Sequence, residues 1–183
     1  MQHFYETIPG WFDFDDIYNA LVNNAVDGAH FVEVGSWKGR SAAYMCVEIA
    51  NSNKKIKFDC VDIWNGAGQP GEYDSDQSVI DQSLYLDFIS NMKPVEHFYT
   101  AVREWSDQAA LLYQDRSLDF VFIDAGHSYE NVAADIKAWL PKLKQGGYLG
   151  GHDYTHAPGV FRSVNENFKN FSVIKNSWLL EVR

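Results

Sequence analysis

The sequence predicts an α/β fold on a doubly wound, mostly parallel sheet of about seven strands. Three observations carry this. Short apolar runs alternate with stretches of helical spacing along the chain. The run SLDFVFID is nearly all apolar, as expected of a strand covered on both faces. The last two runs, FSVIK and WLLEV, are separated only by Asn176-Ser177. So short a connection joins only antiparallel strands, so the sheet should end in an antiparallel hairpin.

The elements follow in order. Asp13 can cap a helix whose apolar residues are Phe14, Ile17, Tyr18, Leu21 and Val22. HFVEV is a short apolar strand ending at Gly35. Arg40 to Ile49 reads as a helix with Ala43, Met45, Cys46 and Ile49 inward. KIKFDCVD is a second strand ending at Asp62. Trp64 to Val79 is polar and rich in Gly and Asp, a long loop of the kind that is usually functional or mobile. Ser83 to Met92 looks helical, and HFYTAV is a third strand. Ser106 can cap a short helix carrying Ala109, Ala110 and Leu112. After the SLDFVFID strand, Ser128 can cap a helix with Val132, Ile136, Trp139 and Leu140 on one face. YLGG makes a fifth strand, and Val160 to Phe168 a last helix.

Bulk properties bound the function. The 183 residues suit one domain, 1–183, with an N-terminal helical segment over 1–28 and a lid-like loop over 65–80. Apolar residues at 46% supply a sizeable core, which argues against disorder. No stretch reads as a signal peptide or a membrane span, so a soluble, cytoplasmic protein is expected. Cys46 and Cys60 lie in apolar segments and read as buried thiols. The net charge of −10 disfavours nucleic acid as a partner. Trp11, Phe12 and Phe14 could form an exposed apolar patch, and the chain could be a monomer or a homodimer.

Ligands of open α/β sheets bind at the carboxyl ends of the strands. Glu33, Gly35, Ser36, Gly39 and Ser41 follow the first strand there, and Asp62 follows the second. Arg103, Trp105 and Ser106 lie near the third. Asp124 and His127 follow the fourth. His152, Asp153 and Tyr154 follow the fifth, with His156 beyond. Gly35 allows a sharp turn and close approach of a ligand to the backbone. Gly39 lets the helix start close to that ligand, and its free N–H groups suit an anionic group. The four-residue glycine spacing fits neither the dinucleotide fingerprint nor a P-loop. Asp62 sits near the ~20-residue offset at which an acid accepts ribose hydroxyls. Ile63 and Trp64 could pack on an adenine face or in the core.

VEVGSWKGRS, the acid in CVDIW, FIDAGHSYE and LGGHDY, in that order, resemble the class I S-adenosylmethionine-dependent methyltransferases. The closest resemblance is to their methyltransferase-24-like small-molecule branch. It implies a Rossmann-like fold, S-adenosylmethionine as cofactor and a small-molecule acceptor. It also implies that Glu33, Gly35, Ser36 and Gly39 line the methionine end, with Ser41 in the same turn. Asp62 would hold the ribose, Ser106 would sit by the adenine, and Asp124 would lie near the cofactor amino group and the acceptor.

An acceptor hydroxyl must lose its proton during transfer. Either His127 or His152 acts as general base, or Asp124 and Asp153 hold a divalent cation such as magnesium. Related metal-dependent O-methyltransferases carry Asp-Asn where this chain has Asp153-Tyr154. The competing functions are an NAD-dependent oxidoreductase and a non-catalytic nucleoside-binding module.

Overall fold

A computed structural model describes residues 1–66 and 74–183. One seven-stranded sheet carries the chain, in the order β3-β2-β1-β4-β5-β7-β6. The strands are β1 His30–Val34, β2 Lys57–Asp62, β3 Thr100–Arg103, β4 Leu118–Ile123, β5 Leu143–Gly151, β6 Ser172–Ile174 and β7 Ser177–Glu181. The first five pair in parallel, and β7 runs antiparallel to both β5 and β6. This is the Rossmann-like arrangement expected. The turn lies one residue earlier than read: Ile174 pairs with Ser177, which leaves Lys175-Asn176 as the connection. Lys175 takes the positive φ of 53° that so tight a turn requires.

Seven α-helices flank the strands among the described residues: α1 Asp15–Asn24, α2 Arg40–Ser52, α3 Gln77–Ile80, α4 Leu84–Met92, α5 Ser106–Ala110, α6 Tyr129–Trp139 and α7 Pro158–Asn167. Alternation along the strands explains how they cover both faces. Phe120 and Phe122 of β4 point to one side with Phe31, Phe58 and Cys60. Val121 and Ile123 point to the other with Val32, Val34 and Val61. Helices α1, α2 and α4 cover the first side, and α6 and α7 cover the second. Both cysteines are buried and free. No helix among the described residues is long and apolar enough to cross a membrane.

Several local expectations change. Asp13 caps nothing: α1 begins after Phe14 with no side-chain cap. Phe14 is 1% exposed, so it belongs to the core and not to a surface patch, whereas Trp11 is 68% exposed. Phe14 and Tyr18 pack on Phe120 and Phe122 at ring separations of 4.5 to 6.0 Å. Such pairs each contribute about 1 kcal/mol beyond area burial, so they pin α1 under the sheet. Ser128 does cap α6, accepting from the Asn131 amide. Ser106 does not cap α5, because its hydroxyl donates to Asp135 instead. Leu112 lies past the end of α5 and is 70% exposed. The third strand is shorter than HFYTAV, starting only at Thr100. Of the lid segment expected over 65–80, residues 67–73 lie outside the described residues. Its C-terminal part is a helix and not a loop, α3, capped by Asp76 accepting from Ser78.

Candidate active site

The carboxyl ends of β1, β2, β4 and β5 share one rim, and the turn after β1 is its hinge. Gly35 has a φ of +94°, and a Cβ there would stand 2.1 Å from the Asp124 carbonyl oxygen. Close approach is therefore required of this glycine, but by the backbone of the neighbouring strand end. Gly39, at φ +92°, begins α2, and its Cβ would meet Met92 of α4 at 2.9 Å. These glycines thus seat the turn on β4 and α4, so the helix N-terminus faces the rim.

Two cavities open on the rim and meet at Gly35, Trp37 and Asp124. The first, about 390 Å³, is bounded by Asp62, Ile63, Trp105, Ser106 and Asp135. Asp62 accepts from the Trp37 amide at 2.9 Å and the Trp64 amide at 2.6 Å. Burial pushes its carboxyl up, against the pull of these backbone donors. Trp64 is 1% exposed and packs on Tyr85 and Phe88, so it serves the core, while Ile63 faces the cavity. The Trp139 indole donates to the Ser106 hydroxyl, which donates to Asp135. Burial pushes the Asp135 carboxyl up to about 6.

The second cavity, about 540 Å³, lies between Pro9–Asp13 of the N-terminal segment and the β4, β5 and β6–β7 ends. Ser36, Ser41, His127 and His156 line it with Asp124, His152 and Asp153. Glu33 lines neither cavity. It is 1% exposed beneath the glycine turn, where the Tyr18 hydroxyl donates to it at 2.6 Å. Its other oxygen and the Ser36 hydroxyl are buried without a hydrogen bond of good geometry, although the Ser36 and Ser41 hydroxyls lie close enough to draw the carboxyl down. Burial pushes the Glu33 carboxyl up to about 7.

The floor of this cavity is an ionisable cluster. Asp153 takes His127 at 2.9 Å and His152 Nδ1 at 3.3 Å. The same His152 nitrogen is 3.6 Å from Asp124. Burial pushes Asp124 up to about 6, while both histidines pull it down. Asp153 is also partly desolvated, yet hydrogen bonds from the two histidines hold it well below the usual carboxylate range. Desolvation lowers His152, but its bond to Asp153 and the charge of Asp124 outweigh this and raise it to about 9. Asp153 holds a φ of +58°, in the left-handed region that aspartate tolerates better than most side chains. Among the described residues, Asp124, His152 and Asp153 are the one acid/imidazole group with donor atoms all within 4.8 Å of one another. Two carboxylates and an imidazole fit a divalent cation.

Sequence reading missed three contributors. Asp13 reaches His152 Nε2 at 2.8 Å across 139 residues, which no local pattern signals. Asn176, in the terminal hairpin turn, donates to Asp153 at 3.0 Å. Asp135 was legible, since an acid beside Val132, Ile136 and Trp139 sits on an otherwise apolar helix face.

Comparisons with known proteins agree with the fold. The sequence pattern of the methyltransferase domain matches residues 32–154. An uncharacterized protein, y4gI, of Sinorhizobium fredii is 25% identical over 151 residues, covering 82% of this chain. The chain spans only 16% of that protein's length. The O-methyltransferase NovP superposes with a TM-score of 0.65 at 16% identity, covering 92% of this chain and 77% of NovP. An S-adenosylmethionine-dependent O-methyltransferase from Thermotoga maritima superposes at 0.63 with 9% identity, covering 96% of this chain and 66% of its own. Fibrillarin from Aeropyrum pernix, with natively bound S-adenosylmethionine, superposes at 0.56 with 12% identity, covering 90% of this chain and 72% of its own. At such identities the superpositions speak for the fold alone, but the domain match extends over more than half of the chain. The chain belongs to the class I S-adenosylmethionine-dependent methyltransferases.

Proposed function

We propose that this protein transfers a methyl group from S-adenosylmethionine to a hydroxyl of a small polar acceptor, with assistance from a divalent cation. The carrying observation is the donor set of Asp124, His152 and Asp153, within 4.8 Å, beside the junction of the two cavities. The first cavity suits the nucleoside. Asp62 stands at its rim for the ribose, and Ser106 and Asp135 face the base. Ser36 lines the cavity wall at the glycine turn, and the charge of Glu33 buried beneath that turn favours the cationic methionine end. The sulfonium supplies an activated methyl group, so alignment is the main task left to the chain.

The second cavity takes the acceptor. Asp124 lines both cavities and so stands where methyl and acceptor meet. Asp124 and Asp153 would hold the cation, which lowers the pKa of an acceptor hydroxyl. His127, bonded to Asp153, stands on the same floor and can take up the proton released. Trp11, Phe12 and Trp37 wall the acceptor side.

Calorimetric titration with S-adenosylmethionine, followed by methyl-transfer assays on a panel of hydroxyl compounds with and without a chelator, tests the reading. Cofactor binding with chelator-sensitive methylation is expected. Tight NAD binding with no response to S-adenosylmethionine would overturn it.

A further inference from the structure

The N-terminal segment is bolted to the rim at three places. Arg40, the first residue of α2, donates to the carbonyls of Ile8 at 3.1 Å and Gly10 at 3.0 Å. Lys175 in the hairpin turn pairs with Asp15 at 2.9 Å and Asp16 at 3.0 Å. Between these anchors Asp13 reaches His152 Nε2 at 2.8 Å.

The His152 ring is held on two more sides. Its side chain is 10% exposed, and the buried ring of Phe14 lies 5.0 Å away at 53°. With Nε2 tied to Asp13, Nδ1 is turned toward Asp124 and Asp153, at 3.6 and 3.3 Å. A divalent ion about 2.1 Å from each of three donors needs those donors roughly 3–4 Å apart. A ligating histidine characteristically donates its other ring N–H to a carboxylate, which fixes its tautomer and orientation.

We propose that His152 Nδ1, releasing to solvent the proton it shares with Asp153, is a third donor to the cation held by Asp124 and Asp153, and that Asp13 is the positioning residue that aims it. This rests on the metal-assisted reading above. It has a chemical consequence. One imidazole nitrogen among carboxylates shifts the preference from magnesium toward manganese or cobalt. It also makes the N-terminal segment part of the metal site. The Asp13 side chain is 51% exposed, and ion pairs with an exposed partner contribute little to folding. Its removal should therefore register at the metal and not in stability.

The test uses the full chain and Mn²⁺ as the probe. Electron paramagnetic resonance titration measures affinity, and electron spin-echo modulation reports a coordinated nitrogen. The wild type should bind Mn²⁺ more tightly than Mg²⁺ and show the nitrogen signal. Asp13→Ala should weaken Mn²⁺ about 10–100-fold at unchanged melting temperature. Asp13→Asn should recover most of that loss, because its carboxamide oxygen still accepts from Nε2–H. His152→Leu should abolish the nitrogen signal. Mn²⁺ bound by the wild type without nitrogen coupling, or held equally well by Asp13→Ala, overturns the inference and leaves the metal-assisted reading intact. An Asp13→Ala chain that does not fold assigns Asp13 to the fold and also overturns it. A wild type that binds no Mn²⁺ at millimolar concentration overturns both.

Discussion

Replacing Glu33 with glutamine separates what this buried carboxylate costs the fold from what it contributes to the site. Glu33 is 1% exposed, and one of its oxygens lacks a hydrogen bond of good geometry. Burial moves its carboxyl from 4.5 to about 7, even though the Tyr18, Ser36 and Ser41 hydroxyls draw it down. The folded value lies above the unfolded one, so the folded chain binds the proton more tightly in that window. Stability therefore falls as pH rises from about 4.5 to about 7, and the loss is complete above it. At about 1.4 kcal/mol per pH unit the full loss is of order 3 kcal/mol.

Glutamine keeps an oxygen for the Tyr18 hydroxyl and carries no charge. Glu33→Gln should match the wild type near pH 4 and exceed it by about 3 kcal/mol at pH 8. In melting temperature that is roughly 6–12 °C for a chain of this size. Urea unfolding followed by tryptophan fluorescence at both pH values measures it. Equal stabilities at pH 8, or a less stable variant there, would refute the reasoning, because the ionised carboxylate would then have found compensation. The same variant should bind S-adenosylmethionine more weakly, since it removes a negative charge from beneath the turn that takes the cationic methionine end. A gain in stability with a loss in binding is the usual trade at such sites.

Other outcomes follow from the rim. Asp62→Ala should weaken S-adenosylmethionine roughly 10–100-fold by calorimetry, the loss expected for hydrogen bonds to a charged acceptor; unchanged affinity would refute the ribose assignment. Gly35→Ala places a Cβ 2.1 Å from the Asp124 carbonyl at a φ of +94°, so a loss of about 3 kcal/mol or more is expected in thermal unfolding. Chelation should abolish methyl transfer and added Mn²⁺ should restore it, whereas Asp124→Asn should remain inactive with the metal present.

The fold was largely legible because its signals are local. Strand alternation, the SLDFVFID run and the short terminal connection each depend on neighbours in sequence, and they yielded the mixed sheet. Local signals also misled where tertiary contacts outbid them. Asp13 and Ser106 have good capping chemistry, yet each side chain found a distant partner, His152 at 139 residues and Asp135 at 29. Phe14 reads both as part of a helix's apolar face and as part of an exposed patch, and the buried reading holds, with Phe122 4.5 Å from its ring. The turn from Glu33 to Ser41 could be found by spacing alone. What its glycines approach could not, since the Asp124 backbone is 89 residues on from Gly35 in sequence.

The two halves of the site differ in the same way. The nucleoside cavity is made largely by strand ends and the turns that follow them, so its chemistry is written in short motifs. The acceptor cavity is walled by Pro9–Asp13, by the glycine turn and by the hairpin at Asn176. These segments meet only in the folded chain. Pro9 to Asp13 and Asn176 also lie outside residues 32–154, which carry the family pattern. Changes in this outer wall can therefore alter the acceptor while the cofactor turn stays as it is. Asp13 and Asn176 tie that wall to the floor, because Asp13 bonds His152 and Asn176 donates to Asp153. On the proposed function, acceptor choice and cation geometry should for this reason be coupled, and exchanging the first thirteen residues should shift both together.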